Sequence, residues 1–312
     1  MPLVTGLEIL GPARTGGYAV PSFNVQNLES LQAALEAAEA ERAPVLIQVS
    51  EGALDYSGEL LPDLVLEGAS RASVPVALHL DHGSSYAVCI KALRLGFTSV
   101  MIDASHEPFA ANVAATARVV EAAHAAGVSV EGELGRLGGI EEHIEVSAAE
   151  AFLTDPEEAE RFVAETGVDY LAVAVGTSHG AYKGKGATKL ALDRMAEIAR
   201  RVATPLVLHG ASGVSAVIIK RINAAGGVLE EGAAGIPDDQ IRAAIERGAA
   251  KVNIDTDLRL AWFAAVRETL NSRRGEIDPR KVLGPARAAM VQVARSKLQM
   301  MGAAGRARGG AV

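Results

Sequence analysis

The 312-residue sequence contains one cysteine, Cys89. A single thiol cannot close an intrachain disulfide or build a cysteine-rich metal site, so any metal must be held by His, Asp and Glu. Aromatic residues make up only 4% of the chain, and no long basic run appears before the C-terminal tail. With a net charge of −8, nucleic acid is not an expected partner. No apolar stretch is long enough to span a bilayer. The opening Met-Pro-Leu-Val-Thr-Gly lacks the charged segment and apolar core of an export signal. The expectation is a cytoplasmic protein with no membrane association. What is plentiful is glycine, 32 residues, within a chain that is 49% apolar. That suits a closely packed α/β enzyme with many short turns.

The most informative stretch is residues 74–84, Val-Pro-Val-Ala-Leu-His-Leu-Asp-His-Gly-Ser. An apolar run stops on Asp81, His82 and the turn-forming Gly83. Apolar residues fill a core without cost, whereas a carboxylate at a strand end needs a partner. Parallel α/β proteins keep their chemistry at the carboxyl ends of strands.

The same strand-then-helix pattern recurs along the chain. Strands are expected at 18–25, 44–50, 74–81, 99–103, 128–134, 170–175, 205–209 and 250–254. Alanine-rich helical segments lie between them, with Leu31, Ala34, Leu35 and Ala38 marking one buried face of the first. Eight such units with no boundary predict one (β/α)8 TIM barrel with extra C-terminal helices, at about 257–271 and 285–301. An open doubly wound sheet is the alternative. The single domain is expected over 1–301, with 302–312 a disordered tail. Residues 135–152 form a polar loop too long for a simple connection, as lids are.

Of seven histidines, His82 closes the third strand, His179 follows the sixth and His209 closes the seventh. Three His with one open position is a catalytic zinc arrangement. His79 points one layer deeper and is expected in the core, His124 on a helix surface, and His106 beside Asp103 as support for a ligand. Asp103 ends the fourth strand, and Glu131 and Glu133 share one face of the fifth. Asp103 and Glu133 offer a second or alternative metal position, or orient a ligand histidine. Gly-rich turns at 175–183 and 208–213 suit backbone binding of phosphate. Asn253, Asp255 and Asp257 place polar groups on the same rim, Asp255 also being positioned to cap a helix. No lysine ends a strand in apolar surroundings, which disfavours a Schiff-base mechanism.

His-Leu-Asp-His-Gly-Ser-Ser at 79–85, Ser-Val-Met-Ile-Asp-Ala-Ser-His at 99–106 and Glu-Gly-Glu-Leu-Gly at 131–135 resemble the class II, zinc-dependent fructose-bisphosphate aldolases. So do Gly-Thr-Ser-His-Gly at 176–180, Leu-His-Gly-Ala-Ser-Gly at 208–213 and Lys-Val-Asn-Ile-Asp-Thr-Asp at 251–257. The likeness runs in order over nearly the whole chain. It implies reversible cleavage of a ketose bisphosphate into dihydroxyacetone phosphate and glyceraldehyde 3-phosphate. By matching motif, His82, His179 and His209 correspond to the zinc ligands and Asp81 to the acid/base at the C4 hydroxyl. Glu141 corresponds to the proton carrier at the dihydroxyacetone carbon, with Glu142 the neighbouring candidate. Asp103 and Glu133 match the alternative metal position. Gly180, Lys183, Gly210, Ser212, Asn253 and Thr256 match the pocket for the dihydroxyacetone phosphate end, and Asn24 and Ser50 match contacts to the substrate and aldehyde. Gly180 and Gly210 also neighbour a monovalent-cation site, for Na+ or K+. The resemblance implies a homodimer or homotetramer.

Two departures, Ala104 for a more usual Gly and Ala87 for an acidic residue, remove none of these groups. A related branch acts on tagatose bisphosphate. Asp255 with Arg259, and Arg280 reaching from a partner subunit, favour the fructose branch. A metal-dependent barrel hydrolase is the alternative outside the aldolases.

Overall fold

The computed structural model describes residues 3–135, 138–141, 144–146, 152–179, 189–230 and 235–307, with backbone alone at 138–141, 144–146, 178 and 179. In chain order the strands are β1 (Val20–Asn24), β2 (Val45–Ser50), β3 (Val76–Gly83), β4 (Ser99–Ile102), β5 (Ser129–Leu134), β6 (Gly138–Glu141), β7 (Ile144–Val146), β8 (Tyr170–Val173), β9 (Ser178–His179), β10 (Leu206–Leu208) and β11 (Ala249–Ile254). Eight of them close a barrel in the order β1-β11-β10-β8-β5-β4-β3-β2. Every barrel pairing is parallel. Parallel strands covered on both faces need continuous apolar runs, which is why Val45–Ser50 and Val76–Gly83 are buried throughout. The eight expected strands are all present, each within about two residues of its expected ends.

The helices are α1 (Gly6–Gly16), α2 (Leu28–Glu41), α3 (Glu51–Ser57), α4 (Leu60–Arg71), α5 (Tyr86–Arg94), α6 (Phe109–Ala125), α7 (Pro156–Thr166), α8 (Leu192–Arg201), α9 (Ala216–Ala224), α10 (Asp238–Ile245), α11 (Thr256–Ser272) and α12 (Pro279–Met300). Local chemistry starts several of them. Asn27 and Ser30 form a reciprocal cap on α2, and Asp155 followed by Pro156 opens α7. α12 packs along α2 and α11, so the extra helix covers the barrel's outside.

Three features depart from expectation. α1 lies where no element was expected. It covers the amino ends of the strands: Leu3 bridges to Val76, and the Gly6 N–H donates to Ser129 Oγ. The segment expected as a loop contains the antiparallel β6–β7 hairpin, and β6 pairs in parallel with β9. The tail expected to be disordered is ordered through Ala307. Ala303 is buried, the Gly305 N–H donates to Glu41 O, and the Ala307 N–H donates to Arg42 O. Residues 308–312 lie outside the described part.

The barrel interior is polar near its centre. Lys251 on β11 meets Glu131 on β5, strands that are not neighbours, so the pair spans the lumen. Ser22, Gln48, His79 and Ser99 are also fully buried.

Candidate active site

β3 delivers the centre of the site. Asp81 and His82 lie at its carboxyl end, followed by the last strand residue, Gly83, where a Cβ would stand 2.6 Å from the Met101 carbonyl oxygen. His82 adopts a left-handed backbone, φ +49°. A non-glycine residue there carries strain of order 1 kcal/mol, which active sites tolerate. The ring is held at its nearer nitrogen: His82 Nδ1 stands 2.9 Å from Asp103 Oδ2.

Both Asp81 oxygens accept amide hydrogen bonds. Asn24 Nδ2 donates to Oδ2 at 2.8 Å and Gln48 Nε2 at 3.2 Å, while Asn253 Nδ2 donates to Oδ1 at 3.1 Å. Gln48 also donates to Asn24 Oδ1 and accepts from Ser22 Oγ. Four strands, β1, β2, β3 and β11, thereby fix one carboxylate that is almost wholly buried.

His209, just past β10, brings its ring within 4.7 Å of the His82 ring. Glu131 Oε1 lies 2.7 Å from its Nε2, and Glu133 Oε2 lies 3.3 Å from its Nδ1. Glu131 Oε2 in turn accepts from Lys251 Nζ at 2.7 Å. Burial alone would raise the Glu131 pKa, but Lys251 and the surrounding imidazoles hold it well below the carboxylate range. Asp103 follows the same balance. Burial opposes its charge, while His82 and Ser105, which donates from N and Oγ, bring its pKa far down. Burial works against a charged His209 as well, yet Glu133 and Glu131 outweigh it and push the pKa up to about 9. The pocket is thus built to stabilise positive charge at the ring.

The donor set suits a metal. Ligand atoms of Asp81, His82 and His209 lie within 4.8 Å of one another, and so do those of His82, Asp103 and Glu133. Imidazole and carboxylate are the ligands that zinc takes in non-cysteine sites. A divalent ion and a proton answer the same field, so metal binding would displace the proton on His209.

Other expected residues fall less uniformly. Ser50 caps α3 through Ala53 N and pairs in register with Asp81. Gly210 takes positive φ, and Ser212 is buried beside Gly235, whose missing Cβ admits the Ser212 carbonyl oxygen. Asp255 occupies the N-cap position of α11 but makes no capping bond. Its Oδ1 instead accepts from Gln26 Nε2 at 3.0 Å and Arg259 Nε at 2.8 Å. Thr256 opens α11. Asp257 ties down the loop after β10, accepting from the N–H groups of Gly213 and Val214. Arg280 lies in the first turn of α12, with its exposed guanidinium on Asp278 and not in the cluster of its own chain. The backbones of His179 and Glu141 are placed by β9 and β6, where Gly139 pairs with His179. Their side chains, with Gly180, Lys183 and Glu142, lie outside the described residues.

His79 is a core histidine, with burial and then Lys251 lowering its pKa, and His124 pairs with Asp169 at the surface, as expected. His106 does not support Asp103; it is half exposed beside Glu107, and Ser105 joins His82 in contacting Asp103. Gln48 and Lys251 were not foreseen in the site. Each is a long polar side chain in the middle of a buried strand, which is the signal that could have found them. Lys251 is a lysine inside the barrel, but its ammonium is engaged by Glu131 and His79.

A closed (β/α)8 barrel with buried His, Asp and Glu gathered at the carboxyl ends of its strands defines a barrel enzyme with a candidate metal centre. The family model for class II fructose-bisphosphate aldolases matches residues 4–306. A fructose-bisphosphate aldolase of Thermus caldophilus is 58% identical over 98% of this chain and 100% of its own length. One from Helicobacter pylori strain J99 is 48% identical over 97% and 99%. Among solved structures, the YdjI aldolase of Escherichia coli K12 superposes with a TM-score of 0.80 at 31% identity, covering 98% of this chain and all of that one. The chain belongs to the class II fructose-bisphosphate aldolase family, and as such is a carbon–carbon lyase. The hydrolase alternative falls with that membership.

Proposed function

We propose that the chain cleaves fructose 1,6-bisphosphate reversibly to dihydroxyacetone phosphate and glyceraldehyde 3-phosphate, with His82, His179 and His209 holding a catalytic zinc ion. The observation that supports this most is the convergence of Asp81, His82 and His209 from β3 and the end of β10. A zinc ion there supplies Lewis acidity for the negative charge that develops on the three-carbon half as C3–C4 breaks. Asp81 accepts the C4 hydroxyl proton so that the aldehyde can leave, and its three amide donors fix the oxygens in position. Asn24 and Ser50 stand beside it at the ends of β1 and β2 to contact substrate. Asp103 and Glu133, which share donor geometry with His82, offer the alternative metal position.

Glu141 returns a proton to the dihydroxyacetone carbon. The pairing of β6 with β9 supports that role, because it brings the Glu141 strand alongside His179. Glu141→Ala is expected to slow hydrogen exchange from dihydroxyacetone phosphate by roughly 100-fold or more. Exchange followed with tritiated substrate, with Glu142→Ala measured beside it, decides between the neighbours. Loss confined to the Glu142 variant would reassign the step.

The dihydroxyacetone phosphate end is taken by Gly180, Lys183, Gly210, Ser212, Asn253 and Thr256, with a monovalent cation, Na+ or K+, near Gly180 and Gly210. Fructose is favoured over tagatose bisphosphate through Asp255 and Arg259, with Arg280 contributed by a neighbouring subunit of a homodimer or homotetramer in the cytoplasm. Asp255 holds Gln26 and Arg259 together, so Asp255→Ala should lose that arrangement and shift the kcat/KM ratio of the two bisphosphates by roughly 10-fold toward tagatose, the worth of about 1.4 kcal/mol. A coupled assay on both substrates measures it. An unchanged ratio would place selectivity elsewhere.

A further inference from the structure

Lys251 and Glu131 are fully buried in the lumen below the rim and have no place in the proton transfers. Glu131 is bidentate in function: Oε2 accepts from Lys251 Nζ at 2.7 Å, and Oε1 lies 2.7 Å from His209 Nε2. Lys251 Nζ is also 3.2 Å from His79 Nε2, and His79 Nδ1 bonds Ser99 Oγ. The ammonium therefore has fixed partners on two strands opposite its own.

A carboxylate that already accepts from an ammonium can only accept at its other oxygen, so His209 Nε2 must carry the hydrogen. A neutral ring then keeps its lone pair on Nδ1, the atom facing Glu133. Metal-ligating histidines are commonly oriented in this way by a carboxylate on the far nitrogen. Glu131 alone, however, could rotate about its Cβ–Cγ and Cγ–Cδ bonds and turn away. Lys251, reaching across the barrel from β11, pins the oxygen that His209 does not use.

We propose that Lys251 is a positioning residue: through Glu131 it fixes the tautomer and the orientation of His209, presenting Nδ1 to the metal. This rests on His209 being a zinc ligand. Lys251 touches neither substrate nor reacting atoms. Its removal should be felt as metal affinity before it is felt as anything else.

The test uses the full chain loaded with zinc, and measures zinc affinity by competition with a chromophoric chelator. Glu131→Leu with Lys251→Met removes both buried charges together, which avoids leaving one uncompensated. This double variant should fold yet bind zinc about 10–100-fold more weakly. The visible spectrum of its cobalt-substituted form should change, because the His209 ring is no longer held. Glu131→Gln, which keeps an acceptor oxygen for Nε2–H, should lose less affinity than the double variant. Should the double variant not fold, Lys251→Met alone is measured, with a loss of about 10-fold expected.

Zinc affinity within twofold of wild type in a folded double variant, or in Lys251→Met where the double variant fails, would overturn the proposal and leave the pair a structural ion bridge. A different result marks failure of the metal reading itself: wild-type protein without stoichiometric zinc, or His209→Ala binding zinc as tightly as wild type.

Discussion

Asp81→Ala should keep its zinc and lose about 10³-fold or more in cleavage rate, at the upper part of the range for a positioned acid/base. The expectation follows from how much of the barrel is arranged around that one carboxylate. Asn24, Gln48 and Asn253 each spend a buried amide N–H on it, and Ser22 steadies Gln48 from behind. Removing the carboxylate leaves those amides without their shared acceptor but does not touch His82, His209 or their carboxylate partners. Steady-state kinetics together with metal content of the same preparation separates the two effects. Turnover within tenfold of wild type would take Asp81 out of the proton transfer. Asp81→Asn gives a finer reading, since it preserves size and can still accept from two of the three donors. It should be as inactive as the alanine variant, because an amide cannot take the hydroxyl proton.

Chelation should bring activity on fructose 1,6-bisphosphate to background, and added zinc should restore it. The buried field at His209 makes a second, independent readout available. Among the described residues, Glu131, Glu133, Asp103 and Asp81 place four carboxylates around His82 and His209, against the ammonium of Lys251. Withdrawing a divalent ion leaves that excess of negative charge to be met by protons instead. The metal-free protein should therefore melt lower. A zinc concentration a hundredfold above its Kd should raise stability by about 2.7 kcal/mol, which is several degrees in Tm. Full activity after exhaustive chelation, with no change in melting, would end the metal assignment.

The barrel was legible because most of its strands are largely apolar runs closed by a polar residue or glycine, and eight such runs separated by helices leave little else to build. The meeting of His82 with His209 was legible for the same reason: closing the barrel brings strand ends together however far apart they are in sequence. What lay across the lumen was not. Asp81 sits 172 residues from its partner Asn253, as His79 does from Lys251. Neither pairing can be found without knowing which strands face each other. That Ser105, and not the expected His106, meets Asp103 turns on a single residue of rotation after β4, finer than periodicity resolves. α1 was missed because Gly11, Pro12 and Gly16 weaken a helix, whereas what seats it is tertiary: Gly6 packs against Tyr170 and Ser129, and Ile9, Leu10 and Ala13 are buried. The β6–β7 hairpin was hidden by its polar, glycine-containing sequence, since its pairing with β9 comes from the tertiary structure.

The placement of α1 and of the ordered tail has a practical side. Leu3 meets the start of β3, Ala19 at the start of β1 donates to the Met301 carbonyl, and residues 305 and 307 rest on the end of α2. Both extremities of the described chain thus emerge on the face away from the mouth of the barrel. A tether, affinity handle or fused partner attached at either one would hang beneath the enzyme. Immobilised that way, the molecule would present its opening outward to whatever flows past.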